Sequence, residues 1–309
     1  MTHHHIRRRL TATLGTLCLV MTSVGVAYAD EPETTARSTS PTTTANSEVL
    51  TTWTHENAVA TTDPVAAGEV RTSPYYRASV ATTAEPDTAY DSFVYMSVPR
   101  SGNGKIGYTE EDGAEFAADA ELTMSWTSFE YATDVWVDVT LTTDQPITSA
   151  DDVVIRPASL ELEKQLVDSS TIRVKVPYNE DGYRFSVEFA PQLFTAYNNG
   201  NNKLTTDPSS GQSVHTEPKN SMLVFANPQL SGAASDQLIP SEKDGTIYRP
   251  EPGLVNNLND TTAEIIYFEP GVYYMGSNYH AVLPENVTWV YLAPGAYVKG
   301  AFKAFFFYF

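Results

Sequence analysis

Ile266-Tyr-Phe-Glu-Pro-Gly-Val-Tyr-Tyr-Met-Gly276 and Val290-Tyr-Leu-Ala-Pro-Gly-Ala-Tyr-Val-Lys-Gly300 are two copies of one pattern, offset by 24 residues. Tyr267/Tyr291, Pro270/Pro294, Gly271/Gly295, Tyr273/Tyr297 and Gly276/Gly300 are identical, and Ile266/Val290 and Phe268/Leu292 stay apolar. Each copy reads as strand, Pro-Gly turn, strand and Gly corner. A period in the twenties built this way suits one coil of a parallel β-solenoid. Two unrelated hairpins would share the turn dipeptide but not the flanking tyrosines. Leucine-rich and propeller arrays fit worse, because no helical pattern or Trp-Asp signature accompanies the repeat.

Solenoid coils bury their faces on their neighbours, so two are too few, and an end needs a polar cap. After Ala301 the chain instead runs Phe302-Lys-Ala-Phe-Phe-Phe-Tyr-Phe309, an aggregation hazard at an open edge. The expectation is that further coils follow in the intact protein, the Phe-rich residues being a fragment's end or a shifted frame. The competing reading is a short β-tail completed by a partner chain.

Upstream the period is two rather than twenty-four. Val135, Val137, Val139 and Leu141 alternate with Trp136, Asp138 and Thr140. Ile172, Val174 and Val176 alternate with Arg173 and Lys175, and Phe185, Val187 and Phe189 with Arg184, Ser186 and Glu188. One face is buried and one is wet, as in antiparallel sheets rather than βαβ units. Further strand-like runs cover 90–99, 121–131, 152–156 and 221–226. Turn signals at 101–104, 180–182 and 198–200 separate the runs, and only 158–167 has helical character. Together these predict a β-sandwich over 53–235, a linker over 236–259 and the start of the solenoid over 260–309.

The first 29 residues predict an export signal: Arg7, Arg8 and Arg9, a mostly apolar stretch to Val26, and Ala27-Tyr28-Ala29 as a cleavage site before Asp30. Three arginines in a row match a twin-arginine signal loosely. A membrane anchor is the competing reading, disfavoured by Thr11, Thr13, Thr16, Thr22 and Ser23. Residues 30–52 are Thr, Ser, Pro and Glu with few apolar groups, and predict a disordered lead-in. The one cysteine, Cys18, lies within the signal, so the mature chain is expected to lack disulfides, zinc-thiolate sites and thiol chemistry.

The 309 residues carry 38 Asp+Glu against 19 Lys+Arg, a net charge of -19, and aromatics make up 11%. That aromatic content can build a core, and that charge repels phosphate backbones and anionic lipid. The expectation is a secreted monomer with no nucleic-acid or membrane partner and no cofactor. A neutral substrate suffers no such repulsion.

These features resemble the dextranase and isopullulanase family of glycoside hydrolases, family 49. The likeness spans about 53–302 and is most specific in Val287-Thr-Trp-Val-Tyr-Leu-Ala-Pro-Gly-Ala-Tyr-Val-Lys-Gly-Ala-Phe302. The resemblance implies an N-terminal antiparallel β-sandwich joined to a right-handed parallel β-helix. It also implies endo-hydrolysis of α-1,6-glucosidic bonds in dextran with inversion, which uses one carboxylic acid and one carboxylate base. No position up to Phe309 matches the family's aspartate motif, so the catalytic pair is expected in later coils.

Within the chain, Asp151-Asp152 and Glu110-Glu111-Asp112 read as solvating clusters. Glu264, Glu269 and Glu285 lie in or beside the solenoid without a partner across a cleft. His55, His215 and His280 each read as surface histidines, none at metal-ligand spacing. Aromatic rings stack on sugar faces, so Tyr274, Tyr279 and Trp289, with His280 beside them, are the candidate glucan contacts. Tyr267/Tyr291 and Tyr273/Tyr297 read instead as an interior stack. A pectinase-like β-helix enzyme and a non-catalytic glucan-binding or structural sandwich are the alternative readings.

Overall fold

A computed structural model describes residues 42–55, 59–60, 65–97, 123–195, 216–275 and 280–304. The export signal, Tyr279, His215, the 110–112 cluster, the turns at 101–104 and 198–200, and the 305–309 run lie outside the described residues.

Two sheets form the sandwich. In the larger, the order is Thr42–Ser47, Leu50–Thr54, Thr123–Tyr131, Asn220–Pro228, Tyr183–Phe189 and Val153–Arg156, with Tyr95–Ser97 also paired to Thr123–Tyr131. The smaller runs Lys164–Leu166, Thr171–Val176, Val135–Leu141, Tyr76–Thr82 and Tyr90–Ser92. Period-two patterning sends Val135, Val137, Val139, Ile172, Val174, Val187 and Phe189 into the space between them, where all are fully buried. Each such side chain contributes roughly 1.5–3 kcal/mol by leaving water. At one end Asn220 closes a buried polar network: Thr123 Oγ1 donates to its Oδ1 (2.7 Å), its Nδ2 donates to Gln192 Oε1 (2.7 Å), and Tyr76 OH donates to its carbonyl (2.6 Å).

Four details depart from the expectation. Strand Thr42–Ser47 and the first three residues of Leu50–Thr54 lie inside the 30–52 lead-in, because Leu50 and Thr52 alternate into the core despite the polar composition around them. Asn220–Pro228 pairs in parallel with Thr123–Tyr131, so the larger sheet is mixed; alternation fixes which face is buried but not strand direction. Residues 158–167 form only a 3-10 turn, Ala158–Leu160, ended by Glu161 at φ +48, then the edge strand Lys164–Leu166. The one described α-helix is Gly232–Leu238, across the expected boundary between sandwich and linker at 235/236, where no helix was expected.

Beyond it the chain coils. Ile247–Tyr248, Ile265–Phe268 and Trp289–Leu292 stack as one parallel sheet, and Gly253–Val255, Gly271–Met275 and Ala296–Lys299 as a second. His280–Leu283 and Ala301–Ala304 form a third. A shortened first coil therefore occupies the 236–259 segment expected to be a linker. Its signature was present in the sequence: Glu251-Pro252-Gly253 precedes Glu269-Pro270-Gly271 by 18 residues. Val255, Ile266, Phe268, Tyr273, Met275 and Leu283 fill the coil interior.

The register is not uniform. Ile265 pairs with Trp289, an offset of 24, whereas Gly271 pairs with Ala296, an offset of 25, and His280 with Ala301, an offset of 21. The extra residue is taken up at the Pro-Gly turn: Gly271 opens its strand, while Gly295 stays in the turn at φ +84, a backbone state that favours glycine. Consequently Tyr273 faces Val298 and Tyr297 faces Val272. Tyr273 is interior, but Tyr297 points out of the coil, correcting the expected interior pair.

Candidate functional site

The outward faces of the first two coil sheets meet the sandwich. Thr123–Tyr131 turns Phe129 and Tyr131 into the sandwich core and Trp126 away from it. There Tyr95 stacks on Trp126 (4.0 Å between centroids) and on Tyr297 (5.2 Å), and those two rings lie 6.3 Å from each other, beside Val70 and Val272. His55 Nε2 and Tyr95 OH share a 2.8 Å hydrogen bond, and the Phe93 ring meets the imidazole edge-on at 4.7 Å. His55 is thus buried, not the surface histidine expected, and burial pulls its pKa down to about 4. Nothing in the sequence around His55 marked it as part of an interface.

Lys299 fixes a second contact. Its Nζ donates to the carbonyls of Ala66 (2.8 Å) and Glu69 (3.1 Å), tying a sandwich loop to the third coil. Burial lowers its pKa to about 8; Glu69 opposes that shift and Arg71 adds to it.

Along the first coil sheet runs a ladder of outward groups, one per coil. The Arg249 guanidinium lies 4.0 Å from the Tyr267 centroid, and Tyr267 lies 4.7 Å from Tyr291. Alternation places both tyrosines opposite the interior Ile266 and Phe268, so this equivalent pair stacks outside the coil rather than within it. Arg249 Nη1 also pairs with Glu269 Oε1. From the sandwich side comes Glu130, whose carboxyl pKa is pushed up to about 7 by burial. Burial, then Tyr267, Glu130 and Glu269, raises the Tyr291 phenol above its ordinary range.

The candidate glucan contacts do not share one face. Tyr274 is on the second sheet, level with Lys299, its ring edge close to Gly68 of the sandwich. His280 is exposed on the third sheet. Trp289 opens a strand of the first sheet beside Ile265, with its Nε1 buried and lacking a hydrogen-bond partner. Among the carboxylates, Asp152 accepts from Thr148 N (2.7 Å) and Ser149 N (3.0 Å) to cap a turn, which lowers its pKa. Glu264 Oε2 accepts from Thr246 N (3.1 Å), and Glu269 is held by Arg249. These carboxylates hold turns and coils together. Arg249 and Glu130 were not singled out in the sequence; aligning Ile247-Tyr-Arg249 with Ile265-Ile-Tyr267 would have found Arg249.

A β-sandwich packed against the outer faces of stacked parallel coils defines a class of modular all-β protein. Comparison with known proteins narrows it. Residues 39–229 match the glycosyl hydrolase family 49 N-terminal Ig-like domain, and the chain belongs to that family. It is 61% identical over 267 residues to a dextranase of Arthrobacter globiformis, spanning 85% of this chain and 42% of that one. It is 38% identical over 260 residues to an isopullulanase of Aspergillus niger, spanning 84% and 41%. The solved structure of Dex49A from Penicillium minioluteum superposes with a TM-score of 0.69 at 34% identity, covering 86% of this chain and 48% of that chain. The chain thus spans about two fifths of the length of the curated relatives it matches.

Proposed function

We propose that this chain forms the N-terminal part of a secreted dextranase, in which the sandwich braces the first coils of a right-handed β-helix. The 61% identity to a dextranase, running through both the sandwich and the coils, is the observation that carries this reading. Later coils supply the acid and base that hydrolyse α-1,6-glucosidic bonds internally and with inversion, which uses two carboxyl groups about 6.5–9.5 Å apart. That the relatives are more than twice as long as the aligned region supports placing the pair there. The strong negative charge favours a neutral polymer over polygalacturonate. Export rests on the Arg7-Arg8-Arg9 to Ala29 signal, and no described helix is long and apolar enough to cross a membrane.

The isopullulanase relative favours a second reading, hydrolysis of pullulan, at the lower identity of 38%. Expressing the product of the whole gene and measuring reducing ends from dextran, pullulan and polygalacturonate separates these. Release from dextran, with the opposite anomer formed first by NMR, is the expected result. Release from polygalacturonate alone would remove the proposal.

A further inference from the structure

The smaller sheet turns its outer face away from the coils, and that face is organised. Trp136 stands in register between Lys175 and Ala81. Ala81 points outward by alternation with Val80 yet is only 2% exposed, so a group lies across it, and Trp136 is its outward neighbour. A small residue beside an indole lets the ring lie along the sheet. The Lys175 ammonium is 6.0 Å from the ring centroid. One row along, about 6.8 Å away by strand geometry, Arg173 Nε and Nη2 donate to Asp138 Oδ1 and Oδ2, both at 2.7 Å. Ser79 and Asp91 complete that row.

We infer that this face is a glucan-binding surface, with Trp136 as the ring that stacks on one sugar and the Asp138–Arg173 row as its hydrogen-bonding rail. The proposal rests on the glucan reading above and adds a second contact for the same polymer. Charge selects the occupant. In a chain of net charge -19, this face balances Lys175, Arg173 and the exposed Arg77 against Asp138, Asp91 and Asp87, the last close to Arg173. A charge-balanced row of donors and acceptors next to an aromatic ring suits a neutral polyhydroxyl chain and offers a polyanion no net attraction.

The test is affinity electrophoresis of the protein through gels with dextran or polygalacturonate, comparing the parent with Trp136→Ala and Trp136→Phe. Thermal unfolding of each variant establishes that it is folded. Expected are retardation of the parent by dextran alone, at least a fivefold loss of apparent affinity in Trp136→Ala, and retention of most affinity in Trp136→Phe. Hydrolysis of short isomalto-oligosaccharides by the whole gene product should not change in either variant. Equal retardation of parent and Trp136→Ala overturns the inference while leaving dextran hydrolysis standing. Retardation by polygalacturonate overturns its selectivity. A parent protein that is neither retarded by dextran nor hydrolyses it would remove the glucan reading itself.

Discussion

A Cβ on Gly295 would stand 2.6 Å from Trp53 Nε1 and 2.9 Å from its Cδ1. The turn of the third coil and the second strand of the sandwich therefore occupy one another's space, and only a residue without a side chain lets them close. Gly295 also sits at φ +84. Gly295→Ala should cost about 2–4 kcal/mol, combining left-handed strain with overpacking. Urea midpoints measure it. In a double-mutant cycle Trp53→Ala should recover the overpacking share but not the backbone share.

Acid should loosen the interface through His55. Its folded pKa of about 4 lies below the ordinary 6.5, so the unfolded chain takes up the proton first as pH falls. The stability is fully present above 6.5 and is lost progressively towards about 4, amounting to about 3 kcal/mol. His55→Leu should flatten that slope while lowering the neutral-pH baseline by about 1 kcal/mol, the bond to Tyr95 being gone. Chemical unfolding at pH 7, 5.5 and 4.5 reads both effects.

Glu130 works in the opposite direction. Its folded pKa of about 7 exceeds the ordinary 4.5, so between those values the unfolded chain is ionised and the folded one is not. Stability falls as pH rises through that window. Glu130→Gln should match the parent near pH 4 and gain about 1–3 kcal/mol at pH 8. A gain at pH 4 as large as that at pH 8 would show that desolvation of the carboxylate is not the cause.

Replacing Lys299 by Met removes the donor to the Ala66 and Glu69 carbonyls without shortening the stem. Amide exchange within 65–69 should speed up by about tenfold, corresponding to about 1.4 kcal/mol of local opening. Exchange in the buried Val135–Leu141 strand should be unchanged.

Period-two and coil-period patterns carried much of the architecture before any coordinates. Val135 to Leu141 named its own buried face, and Tyr267 and Tyr291 were read as a stack, though on the inside of the coil rather than the outside where they lie. Tyr76–Thr82 escaped notice because Arg77, Ala78, Ser79 and Ala81 dilute its pattern, although it is an inner strand of its sheet. The first coil was hidden because its Arg249 stands where the others carry Tyr. Tyr297 was placed on the wrong side because one residue gained in a turn moves the next strand by one, and a shift of one exchanges its faces. Burial of His55 and Glu130 arises from packing between distant segments, which no local pattern encodes. The candidate contacts Tyr274, His280 and Trp289 were chosen as neighbours in sequence, but each falls on a different side of a three-sided coil.

The strand Asn220–Pro228 lies between Thr123–Tyr131 and Tyr183–Phe189, yet it is the last strand of the sandwich in the chain. Until it is synthesised, the larger sheet is two separate flaps, each showing a raw edge towards the gap. Its nine residues then thread that gap and bond to both sides at once, a late closure between segments up to about a hundred residues apart. Such non-local pairing is slow. On the ribosome the half-made sandwich is therefore the species most exposed to edge-to-edge misassembly, and the first coil begins only 19 residues after the strand that seals it.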